Sequence, residues 1–488
     1  DLDKSFANQT DLVGLQISDG FMGLALMQAI DSATGAPYAA GTPNAVSYTA
    51  LNAGGSVALV GVDGLTLAAY DFEVLYNSAS AGRAINFSAN NNANNLVVPT
   101  NTLAADDVTL SMSAEILEVT GFAVISIDQY VFLSGNVTFS KGLVIPATAN
   151  PTGKNFAVTQ ISGSNINAFV GVGGPYFELD IPARTSAAPV NAGAAVGVAV
   201  EGLAFDLALL SQVDEVTVGA NTTYVATLNG DRYTALYAEV AGVNLVGVGG
   251  VALSASNVKI KVNQGRSGAT TGPQTVLPAA FDFTEVTGLS PGTPTSESIF
   301  LKIFKDQGFK DTVIGFEAIG TTAGTGVSLL VNLSATTPTS VTDADFALQA
   351  DITFERTTLR SGQIATKISA TNVTASFGAI NFAATGNALI LITPAGISAN
   401  IDVTLSAVSF SDGSNTFALA SPTFRLEINT ATTSVNQEFK VGAYTDSSGA
   451  TQTTRTLSLP AGKFVGITGE NLGLKIDLGN NTGTIGSS

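Results

Sequence analysis

The chain has no cysteine, no histidine and no tryptophan in 488 residues. Without cysteine there are no disulfide staples and no thiol chemistry. Without histidine the commonest general base and the commonest zinc ligand are missing. Charge is scarce too: 12% of residues are Asp, Glu, Lys or Arg, against about 25% in an ordinary globular domain. The charge that exists is mostly negative, 38 acidic residues against 20 basic ones, for a net −18. That balance opposes nucleic acid, whose affinity rests on Lys and Arg contacts to phosphate, and anionic membrane surfaces. It favours solubility, self-repulsion and cation binding. No run of 18 or more apolar residues occurs, so no membrane-spanning helix is expected. No basic segment followed by an apolar one opens the sequence in the manner of a secretion signal.

What is present is apolar, small and hydroxylated. Hydrophobic residues make up 45% of the chain, enough for sizeable cores. Gly, Ala, Ser, Thr, Asn and Val dominate, and period-two alternation runs through most segments. Asp19-Gly20, Asp63-Gly64, Asn229-Gly230 and Asp412-Gly413 mark tight turns. Residues 114–117 and 298–305 are the two segments able to curl into short helices. The second alternates as well as it curls, and its reading leans to strand.

The sequence also repeats itself. Residues 62–77, 248–263 and 422–429 share one alternation, and each closes on an asparagine: Asn77, Asn263 and Asn429. The alternation turns Phe72, Val74 and Tyr76 inward and Glu73 outward, as in an antiparallel sheet with one wet face. Upstream, Val13-Gly14-Leu15 matches Val196-Gly197-Val198. Downstream, Glu118-Val119-Thr120-Gly121 matches Glu285-Val286-Thr287-Gly288 and, more loosely, Gly466-Ile467-Thr468-Gly469. Leu133-Ser134-Gly135-Asn136-Val137-Thr138-Phe139 matches Leu348-Gln349-Ala350-Asp351-Ile352-Thr353-Phe354. Ile161-Ser162-Gly163-Ser164-Asn165 matches Ile368-Ser369-Ala370-Thr371-Asn372. The spacing is too long for single solenoid coils of roughly 20–50 residues. Each unit is therefore a whole domain or several coils copied together.

The expected fold is all-β: an elongated, repetitive rod of stacked, mostly antiparallel sheets with solenoid-like continuity. The alternative is a string of tandem β-sandwich domains. Three units are expected, 1–154 (starting mid-repeat), 155–360 and 361–488 (partial), as a piece of a longer array. Three of the motifs carry a resemblance: Leu133 to Phe139, Ser162 to Gly171 and Val258 to Asn263. They resemble repeat units of very large, multi-repeat bacterial proteins that are secreted or held at the cell surface. The resemblance implies an extracellular or cell-surface location and an all-β array. It brings no activity and no functional residues. The third unit departs from it, being shortened before its core strand.

Chemistry-bearing residues are few. Acid/base hydrolysis needs two carboxylates within about 5–10 Å. Asp71 with Glu73, and Asp343 with Asp345, have the two-residue spacing that puts both side chains on one strand face. The bland alternative for each is a solvated face or loop. Calcium takes six to eight oxygen ligands, and Asp1, Asp3, Asp106, Asp107, Asp343 and Asp345 are the weak candidates to supply them, with surface turns as the alternative. Glycosylation sequons at Asn8, Asn86, Asn136, Asn221, Asn332, Asn372 and Asn480 number what abundant Asn, Ser and Thr would give by chance. The terminal Asn77, Asn263 and Asn429 read as strand-ending turns rather than as a ligand-contact ladder. No catalytic residue and no cofactor other than calcium is expected. The expected function is an extracellular structural protein: a filament, stalk or surface-layer component that associates with copies of itself or with adjacent repeats. The alternative is an adhesin that binds surface glycans through the variable segments 89–95 or 211–223. A polysaccharide-acting β-helix enzyme is a distant third.

Overall fold

A computed structural model describes residues 14–485 except 43, 61–64, 82–83, 89–94, 101–105, 128–129, 179–188, 192, 219–220, 267–279, 288–295, 335, 359–363, 378–381, 407, 412–415, 420, 447, 471–473 and 478–481. Two compact units divide the chain. One comprises residues 1–191, 202–238 and 262–312, the other 192–201, 239–261 and 313–488.

In the first unit, strands β1 (Gly14–Gln28), β2 (Ser47–Val60) and β3 (Leu65–Ala79) pair in succession. The chain then leaves the sheet to form a short ribbon of β4 (Leu96–Val98) and β5 (Val108–Leu110). It returns as β6 (Ile116–Ile127) beside β3, and β7 (Val131–Ile145) and β8 (Asn155–Val172) follow in order. In chain order, strand β9 (Val196–Val218) then turns back through β10 (Asn221–Ala226), and β11 (Arg232–Val246) and β12 (Val251–Arg266) precede helix α1 (Ser296–Asp306); β9, β11 and β12 each have residues in both units.

In the second unit, β13 (Val313–Ala318) and β14 (Val327–Val331) both pair with β15 (Phe346–Thr358). Strands β16 (Ile364–Phe377), β17 (Phe382–Thr393) and β18 (Gly396–Leu405) continue the sheet. Strands β19 (Val408–Ser411) and β20 (Thr416–Leu419) lead to β21 (Thr423–Asn429), which pairs with β18. A hairpin of β22 (Val435–Thr445) and β23 (Thr451–Leu459) separates β21 from its neighbour β24 (Phe464–Glu470). Strands β25 (Leu474–Asp477) and β26 (Thr482–Ile485) join β20 in a small separate sheet. All of these pairings are antiparallel, and the chain is all-β, as composition and alternation predict.

The pairing registers coincide across the matched segments. In β3–β6, Asn77, Leu75 and Glu73 lie opposite Ile116, Glu118 and Thr120. In β21–β24, Asn429, Glu427 and Arg425 lie opposite Phe464, Gly466 and Thr468 on the same rungs. Leu65↔Ile127 and Ala69↔Ala123 in β3–β6 correspond to Val251↔Val331 and Ala255↔Val327 in β12–β14. The β7–β8 ladder slips between Ser134 and Asn136, and the β15–β16 ladder slips between Gln349 and Asp351, at the matching place. Backbone conformation agrees: φ is positive at the matched pairs Asp19 and Gly202, Asp71 and Asn257, Asn165 and Asn372. Asn and Asp are the L-residues that best tolerate that conformation at a bulge.

Three expectations are corrected. Segment 298–305 is helix, not strand. Leu301 and Phe304 are both fully buried, among Phe281, Phe283 and Phe309. An odd spacing of three shares a helix face and cannot share a strand face. Second, Glu285-Val286-Thr287 lies in a turn before α1. The structural counterpart of Glu118-Val119-Thr120-Gly121 is Gly315-Phe316-Glu317-Ala318, which faces β15 as the former faces β7. The looser match, Gly466-Ile467-Thr468-Gly469, sits on the corresponding rungs of β24. Third, the β3–β6 register slips between Tyr70 and Glu73, where Asp71 has φ 49°. Beyond the slip the expected split between inward Phe72, Val74 and Tyr76 and outward Glu73 is lost: all four are half-buried, as is Leu75, which packs against the cluster of Phe87, Leu110 and Met112, and Asn77 is fully enclosed.

Candidate functional site

The three strand-ending asparagines are completely buried. Their backbones are not left-handed, so the side chain does the work. The Asn77 amide Nδ2 donates to the carbonyls of Ile85 and Ala114, each at 2.8 Å. Asn429 Nδ2 donates to Thr433 at 3.1 Å and Pro460 at 2.9 Å, and its Oδ1 accepts from Ser398 Oγ and Ala431 N–H, each at 3.0 Å. Asn263 Nδ2 donates to Phe281 at 3.0 Å. In the first and third cases one amide ties down the chain as it leaves the sheet and again just before it re-enters. Only a neutral amide offers two N–H donors from one planar group of this size.

Each clamp holds a different excursion against the sheet. After Asn77 it carries Phe87, Leu110 and Met112 onto Ala25 and Ala50. After Asn263 it carries Phe281, Phe283 and α1 onto Phe156, Leu210 and Tyr233. After Asn429 it carries Phe439, Val441, Leu457 and Leu459 onto Leu389 and Leu391. Burying each such side chain contributes about 1.5–3 kcal/mol, so the excursions supply cores that the sheet alone lacks.

A second anchoring device differs between matched segments. On β6, Phe122 lies opposite Asn136, beside a cavity of about 360 Å³ that Asp71, Thr120 and Thr138 also line. In the second unit that rung is taken by the loop 319–326 between β13 and β14, opposite Asp351. The buried Asp351 carboxylate accepts N–H bonds from Gly320 (2.9 Å), Gly324 (2.7 Å) and Gly326 (3.1 Å), and from Asn372 Nδ2 (2.8 Å). Charge-assisted bonds of this kind are roughly twice as strong as neutral ones. A Cβ on Gly326 would lie 2.0 Å from the Ala318 carbonyl, so the loop closes only over glycine.

A polar concavity of about 260 Å³ lies in the second unit, lined by Asn387, Asn400, Asp402, Arg425, Tyr444 and Arg455. Arg425 Nε bonds Asp402 Oδ1 at 2.7 Å, and that carboxylate raises the Arg425 pKa. The Arg455 guanidinium lies 3.9 Å from the centre of the Tyr444 ring. Arg455 Nε and Asn400 Oδ1 have no hydrogen-bond partner. Two guanidinium groups and two amides beside an aromatic ring can hold a hydroxyl-rich or anionic group. Sequence reasoning missed this groove because its residues come from five strands, and it missed Asp351. The signal for Asp351 was an acid at the position where the matched segment has Asn136.

Asp1 and Asp3 lie outside the described residues. The Asp106 carbonyl accepts from Thr100 Oγ1 at 2.5 Å, and Asp107 Oδ1 is buried without a partner. Asp343 accepts from the Ser340 hydroxyl and from Thr339 N–H and Oγ1, both at 2.9 Å, which hold its carboxyl well below the usual range. Asp345 accepts from Leu333 N–H at 2.8 Å. Both cap turns. Among the described residues no three acidic side chains converge as metal ligands. The slip beside Asp71 breaks the alternation that would set it on one face with Glu73. Of the sequons, Asn8 and Asn480 lie outside the described residues, Asn86 and Asn332 cap Ser88 and Ser334, and Asn372 belongs to the Asp351 anchor. Of the variable segments, 89–94 lies outside the described residues, and 211–223 forms most of the β9–β10 hairpin.

No protein-family model, curated protein or solved structure matches the chain.

Proposed function

We propose that this chain is an extracellular structural protein: part of a filament, stalk or surface layer in which one antiparallel meander recurs and associates with adjacent repeats or with copies of itself. The observation that carries the reading is the common register of β3–β6 and β21–β24, each ending on a buried asparagine that clamps an unrelated excursion. A constant sheet with interchangeable inserts suits a protein whose role is extension and display. Units of this kind stabilise one another largely through nearest neighbours. The scarcity of charge and the lack of histidine and cysteine agree with a role that needs no reaction chemistry.

A second reading has its own observation. The groove at Arg425 and Arg455 has the donors and the ring to take a surface glycan, which makes the protein an adhesin module. Electron microscopy of the protein from its native source separates the two. Regular filaments or a lattice support the structural reading. Single rods that bind acidic glycan through this groove, and lose binding with Arg455→Ala, support the adhesin. A monodisperse monomer without attachment overturns both.

A further inference from the structure

Strand β24 has one open edge among the described residues: it pairs with β21 alone. Its counterpart β6 has β3 on one side and β7 on the other, and β13 has β15. The rungs align Ile467 of β24 with Val119 of β6 and Phe316 of β13. Val119 lies opposite Phe139, and Phe316 lies opposite Phe354. Both are half-buried. Ile467, with no such neighbour, is 76% exposed, and Val465 is 68% exposed.

The two filled sites state what the empty one would take. Opposite β6 runs Val137-Thr138-Phe139-Ser140-Lys141, and opposite β13 runs Ile352-Thr353-Phe354-Glu355-Arg356. Both read β-branched aliphatic, Thr, Phe, any residue, base. Transferred to β24, the aliphatic residue meets Gly469, Thr meets Thr468, Phe covers Ile467 and the base lies beside Val465. We infer that the open edge of β24 is an acceptor for an antiparallel strand of this pattern, supplied by an adjacent repeat unit. An unpaired edge with exposed β-branched residues is a ready template for a further strand. The inference rests on the reading of the sheet as a recurring meander, and not on where the protein resides.

The absence of cysteine permits a direct register test. The full chain carrying Ile467→Cys is equilibrated in a glutathione buffer with a peptide of residues 131–145 carrying Phe139→Cys. Residues facing each other across an antiparallel pair have Cα atoms about 4.5–5.5 Å apart, within disulfide reach. At least fivefold more cross-link is expected than with the Val137→Cys peptide or a scrambled Cys-containing peptide. Val465→Cys should prefer the Lys141→Cys peptide. With the unmodified chain and peptide, hydrogen exchange should slow at residues 464–470. Equal yields at all positions, a dominant Ile467→Cys homodimer, or no slowing at β24 each overturn the proposal. The homodimer outcome would make a second copy the occupant. Microscopy that finds no assembly while the register preference holds would sink the structural reading and leave the acceptor edge intact.

Discussion

The side-chain amide of Asn77 lies 2.8 Å from the carbonyl of Ala114, 37 positions along the chain. With its second bond to Ile85 it ties both ends of an excursion to the end of one strand. Asn77→Ala removes two hydrogen bonds and leaves two carbonyls without a donor. A loss of about 2–3 kcal/mol is expected. Asn77→Asp should be worse, since a carboxylate would face two carbonyls. Hydrogen exchange is the check: protection should fall at 106–112, the return of the excursion, before it falls in β7 and β8. Uniform loss across the unit would show that the clamp is not local.

The Asp351 anchor gives a sharper contrast, because it is polarised. All four partners donate to it. Asp351→Asn keeps the shape but turns an NH2 toward N–H donors, so a cost of about 3 kcal/mol or more is expected. The exchange of Gly320, Gly324 and Gly326 amides should speed up together. Asn136, on the matching rung, faces Phe122 rather than a loop. Asn136→Asp should therefore cost less stability than Asp351→Asn, and should leave β6 protected.

Much of the sheet was legible in the sequence, for a physical reason. Strand pairing imposes period two, and the bulges that reset it demand Asn, Asp or Gly at fixed places. Asp71 with Asn257 and Asn165 with Asn372 therefore stand out as matched strings. The excursions were not legible. They are bound to the sheet by apolar contact and one amide, which constrain volume but not order, so α1 and the β22–β23 hairpin fill the same role. That is also why Glu285-Val286-Thr287 could copy the wording of β6 while lying in a turn. Asp351 and the Arg425–Arg455 groove stayed hidden because their geometry is assembled from separate strands and loops.

The bulge asparagines can be tested one at a time. Asn257 has φ 50°. Asn257→Gly relieves a conformation of limited comfort for any L-residue and should leave stability within about 0.5 kcal/mol, while Asn257→Val should cost about 1–3 kcal/mol through strain at Cβ. Urea midpoints for the two variants decide it. Equal effects would mean that the side chain, and not the backbone, matters there.

Asp206 on β9 sets the expected pH dependence. Burial pushes its carboxyl up to about 6, because desolvation penalises the charged form. A carboxyl raised in the folded state contributes stability that is fully present below its unfolded pKa, about 4. That contribution is lost as pH rises through about 6. The parent should therefore be less stable at pH 7.5 than at pH 4.5 by about 1 kcal/mol from this group, after solvent screening. Asp206→Asn cannot ionise. Its urea midpoint should exceed the parent's at pH 7.5, and the difference should shrink toward pH 4, where both side chains are neutral. A difference that stays constant from pH 4 to 8 would show that the substitution acts through packing rather than through the proton.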